Sequence, residues 1–149
     1  MTHKPDENKQ LLRVLHDVWG YPRFRPFQQE AVQAIHAGRD TVVVLPTGGG
    51  KSLCYQLPAL TRGRALVVSP LISLMHDQVT SLRQLGLEAE FINSTVSTEH
   101  FKDILARWRQ NQVKLLYVAP ERLLSDWFLK FLEQNPPAFF AIDEAHCIS

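Results

Sequence analysis

Five strand-length runs of β-branched, aliphatic or aromatic residues recur along the chain, at Thr41–Leu45, Ala65–Val68, Ala89–Ile92, Leu115–Val118 and Phe139–Ile142. Helix-patterned segments lie between them, and this alternation constrains the fold more than any other feature. A strand that is apolar on both faces must be covered on both faces. The pattern therefore predicts an α/β fold: a mostly parallel sheet with helices on both sides, joined by right-handed crossovers. The intervening segments carry apolar residues at helical spacing, Leu71, Leu74, Met75, Val79, Leu82 and Leu85 in one and Phe101, Ile104, Leu105 and Trp108 in another. Two further helices are expected ahead of the first run, over Gln10–Val18 and Pro26–Ala37, separated at Gly20-Tyr21-Pro22, with Gly38 ending the second. Pro136-Pro137 stops the last helix and introduces the final strand.

The 149 residues, 45% of them hydrophobic, supply one real core rather than two. No self-similarity appears at periods of about 20–50 residues, which excludes a solenoid or a propeller. The expected organisation is a helical segment over 1–38 followed by an α/β domain over 39–149. A formal net charge of +1 gives no overall basic field, so any anion site must be local. Cys54 and Cys147 stand far apart without a CxxC pattern, which fits a reducing compartment better than a disulfide framework. His3, His16, His36, His76 and His100 show no metal-ligand spacing. The apolar runs are too short for a membrane span, and no apolar stretch follows the N-terminal charges as in a secretory leader. A cytosolic location off the secretory route is expected.

The most specific chemistry lies in Leu45-Pro46-Thr47-Gly48-Gly49-Gly50-Lys51-Ser52, set between the first run and a helix beginning at Lys51. Strand, glycine-rich loop and helix are the context a phosphate loop needs. Glycines allow the backbone to turn successive N–H groups inward around a phosphate, and the helix start adds partial positive charge. Lys51 would reach the β and γ phosphates of a nucleoside triphosphate, and the Ser52 hydroxyl would ligate a magnesium ion shared with them. The generic pattern G-x-x-x-x-G-K-[ST] fails only at its first position, where this chain has Leu45.

A second nucleotide element belongs at the C-terminal end of another strand, and Phe139–Ile142 followed by Asp143-Glu144-Ala145-His146 supplies it. Asp143 would hold the magnesium from its second side, directly or through water, while Glu144 would orient and deprotonate the attacking water. His146 would bond toward the γ-phosphate side or to a partner segment. Upstream, Tyr21-Pro22-Arg23-Phe24-Arg25-Pro26-Phe27-Gln28 has two readings. One is a packed turn with Phe24 and Phe27 in the core. In the other, Gln28 pairs with an adenine edge, Tyr21 stacks on its face and Arg25 adds a cation–π or phosphate contact. Arg107-Trp108-Arg109 reads as a buried tryptophan between two solvated charges, and Cys54 as a small hydrophobe inside the phosphate-loop helix.

Together these segments resemble the first RecA-like domain of superfamily-two helicases, and more narrowly the RecQ family of ATP-dependent DNA helicases. Five blocks carry the resemblance: Tyr21 to Gln28, LPTGGGKSLCYQLPAL from Leu45, VVSPLISLMHDQV from Val67, LLYVAPERL from Leu115 and AIDEAHCIS from Ala141. Leu45 fits, because chains of that family carry an apolar residue there. The resemblance implies a RecA-like P-loop NTPase fold, truncated after the DEAH strand. It implies that Tyr21, Arg25 and Gln28 contact adenine and that Thr47, Gly48, Gly49, Gly50, Lys51 and Ser52 bind phosphates and magnesium. Asp143 and Glu144 would serve metal and water. Ser69, Pro70 and Leu71, together with the turn at Ala119-Pro120-Glu121-Arg122, would face single-stranded or partially duplex DNA. ATP and Mg2+ are the implied cofactors, and strand unwinding in recombination and repair the implied work. A second RecA-like domain, which brings an arginine finger, and an aromatic-rich loop complete such a motor and are absent from these 149 residues. Two other functions share the same motifs: another superfamily-two motor, such as an RNA helicase or a translocase, and a stand-alone nucleotide-binding module without motor activity.

Overall fold

The computed structural model describes residues 5–41 and 50–143. The chain divides into two compact units, with the boundary between Arg62 and Gly63. Of the first expected strand only Thr41 lies among the described residues; the loop through Gly49 and the segment from Glu144 onward lie outside them.

Among the described residues the first unit is helical: α1 (Pro5–Val14) runs into a π-helical turn at Leu15–Trp19, followed by α2 (Pro26–His36), α3 (Lys51–Gln56) and α4 (Pro58–Thr61). Helix α1 begins at Pro5, not at Gln10 as the apolar spacing suggested. Proline has no N–H to waste in a first turn, and Asp6 and Glu7 place negative charge against the positive end of the helix. The π-helical turn ends at Gly20, whose φ of 76° is left-handed and whose N–H donates to the His16 carbonyl at 3.0 Å. Leu11, Leu15, Phe24, Val32, Leu53 and Leu57 form the core of this unit, with Val14 and Trp19 against it. Phe24 is therefore a core residue, whereas Phe27 stays 38% exposed.

The second unit alternates as the pattern predicted: β1 (Ala65–Val68), α5 (Ile72–Gln84), β2 (Ala89–Ile92), α6 (Thr98–Arg109), β3 (Leu115–Val118), α7 (Pro120–Leu123), α8 (Asp126–Gln134) and β4 (Phe139–Ile142). The strand bounds are those read from the sequence. All pairings are parallel and the order is β2-β3-β1-β4, with Ala65 in register with Leu115 on one side and Phe139 on the other. One sheet face packs Leu66, Val68, Leu116 and Val118 against Ile104, Leu105 and Trp108 of α6 and Phe128, Phe131 and Leu132 of α8. Each unit thus holds an apolar cluster of its own, where composition suggested a single core. Along α5, Met75, Val79 and Leu82 are buried, but Leu71 and Leu85 cap its ends and stay 40% exposed.

Strand β4 departs from the expectation of cover on both faces. Among the described residues it pairs only with β1, and Phe140 and Ile142, which share a face by the two-residue period, are 56% and 62% exposed. At the other side of the sheet, β2 carries a buried acid. Glu90 is ion-paired with Arg83 and with Arg107 Nη2 at 3.2 Å, and His100 Nε2 lies 3.4 Å from its Oε2. Arg107 also reaches Asp103 one turn back along α6 at 2.9 Å, so it is a bridging charge and not a solvated one. Burial works to lower the Arg107 pKa, but the bonds and charges of Glu90 and Asp103 outweigh it and the net shift is upward. Trp108, fully buried, donates from Nε1 to the Asn135 carbonyl at 2.8 Å, with the Arg64 guanidinium 4.3 Å over its ring.

Candidate nucleotide and metal site

In the helical unit the site is built around Gln28. Pro26 and Phe27 open α2, which puts Gln28 in its first turn, where a side chain can bend back to cap the helix. Its Oε1 accepts the Arg25 backbone N–H at 2.9 Å, and its Nε2 donates to the Gly50 carbonyl at 3.0 Å. The carboxamide is buried, so these contacts fix its orientation. A primary amide carries two donor protons and two lone pairs, and these bonds use one of each. Gly50 sits immediately before α3 with φ of 81°, a conformation that disfavours any side chain, and a Cβ there would collide with the Gln28 amide nitrogen. Lys51 and Ser52, both half-buried, follow in the first turn of α3, where backbone N–H groups have no carbonyl of the helix to bond. Tyr21 is 54% exposed and the Arg25 side chain is exposed.

The link from Gln28 to Gly50 joins the block ahead of the phosphate loop to the end of that loop, and sequence reasoning did not foresee it. Residues so far apart carry no local signal of contact. Thr47, Gly48 and Gly49 lie outside the described residues.

In the α/β unit, Asp143 follows β4 directly and is 5% exposed. Its backbone N–H donates to the Val68 carbonyl at 2.9 Å, which extends the β1–β4 ladder by one step, and its Oδ2 accepts from Gln78 Nε2 at 3.4 Å. Gln78, on α5, is a contact the sequence motifs did not single out. Glu144 and His146 lie outside the described residues. Ser69 is buried: its N–H bonds the Val118 carbonyl at 3.1 Å and its Oγ accepts the Leu71 N–H at 3.3 Å, so the hydroxyl shapes its own loop. Pro70 is half-buried beside it. Arg122, in α7, lays its guanidinium 4.8 Å over the Phe101 ring. Cys54, inside α3, is buried, and burial pushes its thiol up to about 11, which makes it a packing residue with no nucleophilic character at neutral pH.

Comparison with known proteins gives this arrangement a context. Residues 25–149 match the DEAD/DEAH box helicase family. The chain is 47% identical over 144 residues to an ATP-dependent DNA helicase RecQ of Haemophilus influenzae, covering 96% of this chain and 23% of that protein. It is 46% identical over 138 residues to the RecQ protein of Bacillus subtilis, covering 91% and 23%. It is 47% identical over 144 residues to ATP-dependent DNA helicase Q1 of Rattus norvegicus, again 91% and 23%. The chain thus spans about a quarter of the length of these relatives. Among solved structures it resembles helicase MrfA bound to DNA and AMPPNP, with a TM-score of 0.76 and 22% identity over 98% of this chain and 22% of that one. It also resembles a hypothetical ATP-dependent RNA helicase of Sulfolobus tokodaii, with a TM-score of 0.68 and 23% identity over 97% and 43%. At such identities the likeness establishes the fold alone, a RecA-like α/β domain. Among the described residues no helix is long and apolar enough to cross a membrane. A family match that takes in Gln28, the phosphate loop and the acidic pair, beside RecQ relatives sharing almost half their aligned residues, shows that the chain belongs to the DEAD/DEAH box helicases.

Proposed function

We propose that this chain is the ATP-binding portion of an ATP-dependent DNA helicase, one that couples ATP hydrolysis to strand unwinding in recombination and repair. The observation that carries the reading is buried Gln28, tied at once to Arg25 and to Gly50 at the end of the phosphate loop. Through it, recognition of a base edge and the grip on phosphates share one rigid part. The remaining donor proton and lone pair of Gln28 suit adenine, Tyr21 offers an exposed ring for stacking, and Arg25 offers a cation at the rim. Gly50, Lys51 and Ser52, with Thr47, Gly48 and Gly49 ahead of them, cradle the phosphates.

Taken each by itself, the Ser52 hydroxyl and the buried Asp143 carboxylate are oxygen donors that would suit a hard cation such as Mg2+ better than a soft one. Such a cation, when held, would supply positive charge against the transferred phosphoryl group. Lys51 holds the β and γ phosphates in place. Glu144 orients a water and takes its proton, and His146 bonds toward the γ-phosphate side or to a partner segment. Ser69, Pro70 and Arg122 belong to the two loops that we assign to the DNA strand; for buried Ser69 the role is to shape the loop that presents backbone N–H groups to phosphates. A second RecA-like domain outside this chain supplies the arginine finger.

The test is equilibrium binding of a fluorescent ATP analogue with Mg2+ to wild type and Lys51→Ala. Removing a charge-assisted phosphate contact is expected to weaken binding at least about tenfold, the equivalent of about 1.5–3 kcal/mol. Unchanged affinity would overturn the phosphate-loop assignment. Single-stranded DNA should stimulate ATP hydrolysis by the complete protein more than RNA of the same sequence; the reverse order would favour an RNA motor.

A further inference from the structure

We propose that Gln78 is a positioning residue that transmits the state of the Ser69-Pro70-Leu71 loop to the Asp143 carboxylate. The inference rests on the reading above and deepens it. Asp143 is held by two different parts of the unit: its backbone N–H by Val68, at the end of β1, and its Oδ2 by Gln78, from α5. The loop lies between those two holds. Ser69 is anchored to Val118 through its N–H and to Leu71 through its Oγ, and the Leu71 carbonyl receives the Met75 N–H at 3.0 Å, locking the loop to the first turn of α5. Gln78 sits about 9 Å along the same helix from Ile72 at 1.5 Å per residue, close enough for the helix to carry a displacement to it unattenuated.

The chemistry of the contact suits transmission. At 3.4 Å it is longer than the roughly 2.7–2.9 Å usual for a donor on a carboxylate, so a movement of α5 by about half an ångström tightens it, and a similar movement the other way breaks it. A neutral amide orients a carboxylate without cancelling its charge, whereas a lysine or arginine there would compete with a cation for the same oxygens. At the loop end of the lever, Leu71 and Ile72 are 40% and 46% exposed, a small apolar surface for a nucleic-acid strand to press upon. A strand seated on the loop would therefore set the geometry of the carboxylate that we assign to Mg2+.

The experiment uses the complete protein as the cell makes it, with wild type, Gln78→Met and Gln78→Glu. Methionine keeps the length and removes the donor; glutamate keeps the shape and sets a second carboxylate against Asp143. The readout is the Mg2+ concentration for half-maximal binding of a non-hydrolysable fluorescent ATP analogue, measured with and without single-stranded DNA, beside the thermal unfolding midpoint. In wild type, DNA is expected to shift that concentration. In Gln78→Met the DNA-induced shift, about fivefold or more in wild type at the lower end of ordinary coupling between sites, should be largely lost, with the unfolding midpoint kept. Gln78→Glu should displace the Mg2+ midpoint even without DNA. A Gln78→Met protein that keeps the wild-type shift overturns the inference, as does a loss that follows the unfolding midpoint. If Gln78→Met does not fold, Gln78→Glu decides alone, and a wild-type Mg2+ profile in it overturns the inference. No DNA effect in wild type, or none of the expected nucleotide binding, counts instead against the motor reading itself.

Discussion

At the residue scale, burial decides which of the chemically capable groups in this chain do chemistry. Cys54 has a nucleophile's atoms and none of its circumstances. Desolvation raises its thiol from 9.0 to about 11, because a thiolate inside α3 would lose its water and gain no countercharge. The unfolded chain then gives up its proton more readily than the folded one. The stability tied to this thiol is complete below about pH 9 and is lost as the pH climbs toward 11. At pH 8, iodoacetamide is expected to leave Cys54 unmodified in the folded protein and to alkylate it once urea unfolds the chain, with peptide mass spectrometry identifying the site. Alkylation at equal rates in both states would contradict the burial. Gly50 shows the converse, a residue whose lack of a side chain is the requirement, since its left-handed backbone and the neighbouring Gln28 amide exclude a Cβ together.

At the element scale, the strands were legible because each is a short β-branched or aromatic run whose identity does not depend on its neighbours. Val67, Leu116 and Ile92 would be buried in any register the sheet adopted. Polar contacts were not legible in that way. Glu90 in an otherwise apolar strand reads as an error until Arg83, Arg107 and His100 arrive from α5 and α6, and Gln78 reaches Asp143 only once the packing of α5 on the sheet is known. The candidate site is thus proposed from its motifs, Gly48 to Ser52 and Asp143 to His146, whereas the contacts that orient Gln28 and Asp143 came only with the structure. Glu90→Gln removes the charge that Arg83 and Arg107 share. Glu90 itself is 8% exposed, but its partners are 29–48% exposed, so screening discounts the loss to about 1–2 kcal/mol. The urea midpoint should fall accordingly, and by less in 1 M salt, where about 3 Å of screening length weakens the attraction that the mutation removes. An unchanged midpoint at low salt would mean that the cluster contributes nothing net.

At the scale of the whole molecule, the motor we propose would close two RecA-like domains on one nucleotide, and these 149 residues would contribute part of one of them. ATP turnover by this chain alone is expected to lie about 10³–10⁵ below that of the complete protein with DNA, the range attributed to an arginine finger supplied from elsewhere. Steady-state phosphate release from both proteins at matched concentration measures it, and equal turnover would show that the chain needs no second domain. The sheet order carries one more consequence. Among the described residues, strand β1 is central to the sheet, yet its neighbours β3 and β4 follow it in the chain, so Ala65 must wait for Leu115 and then for Phe139 before these ladders exist. During synthesis the middle of the sheet is therefore laid down first and completed last. Until residues 139–142 leave the ribosome, β1 lacks the partner that β4 gives it along one side, and an early, unpaired edge of this kind invites pairing with the wrong strand.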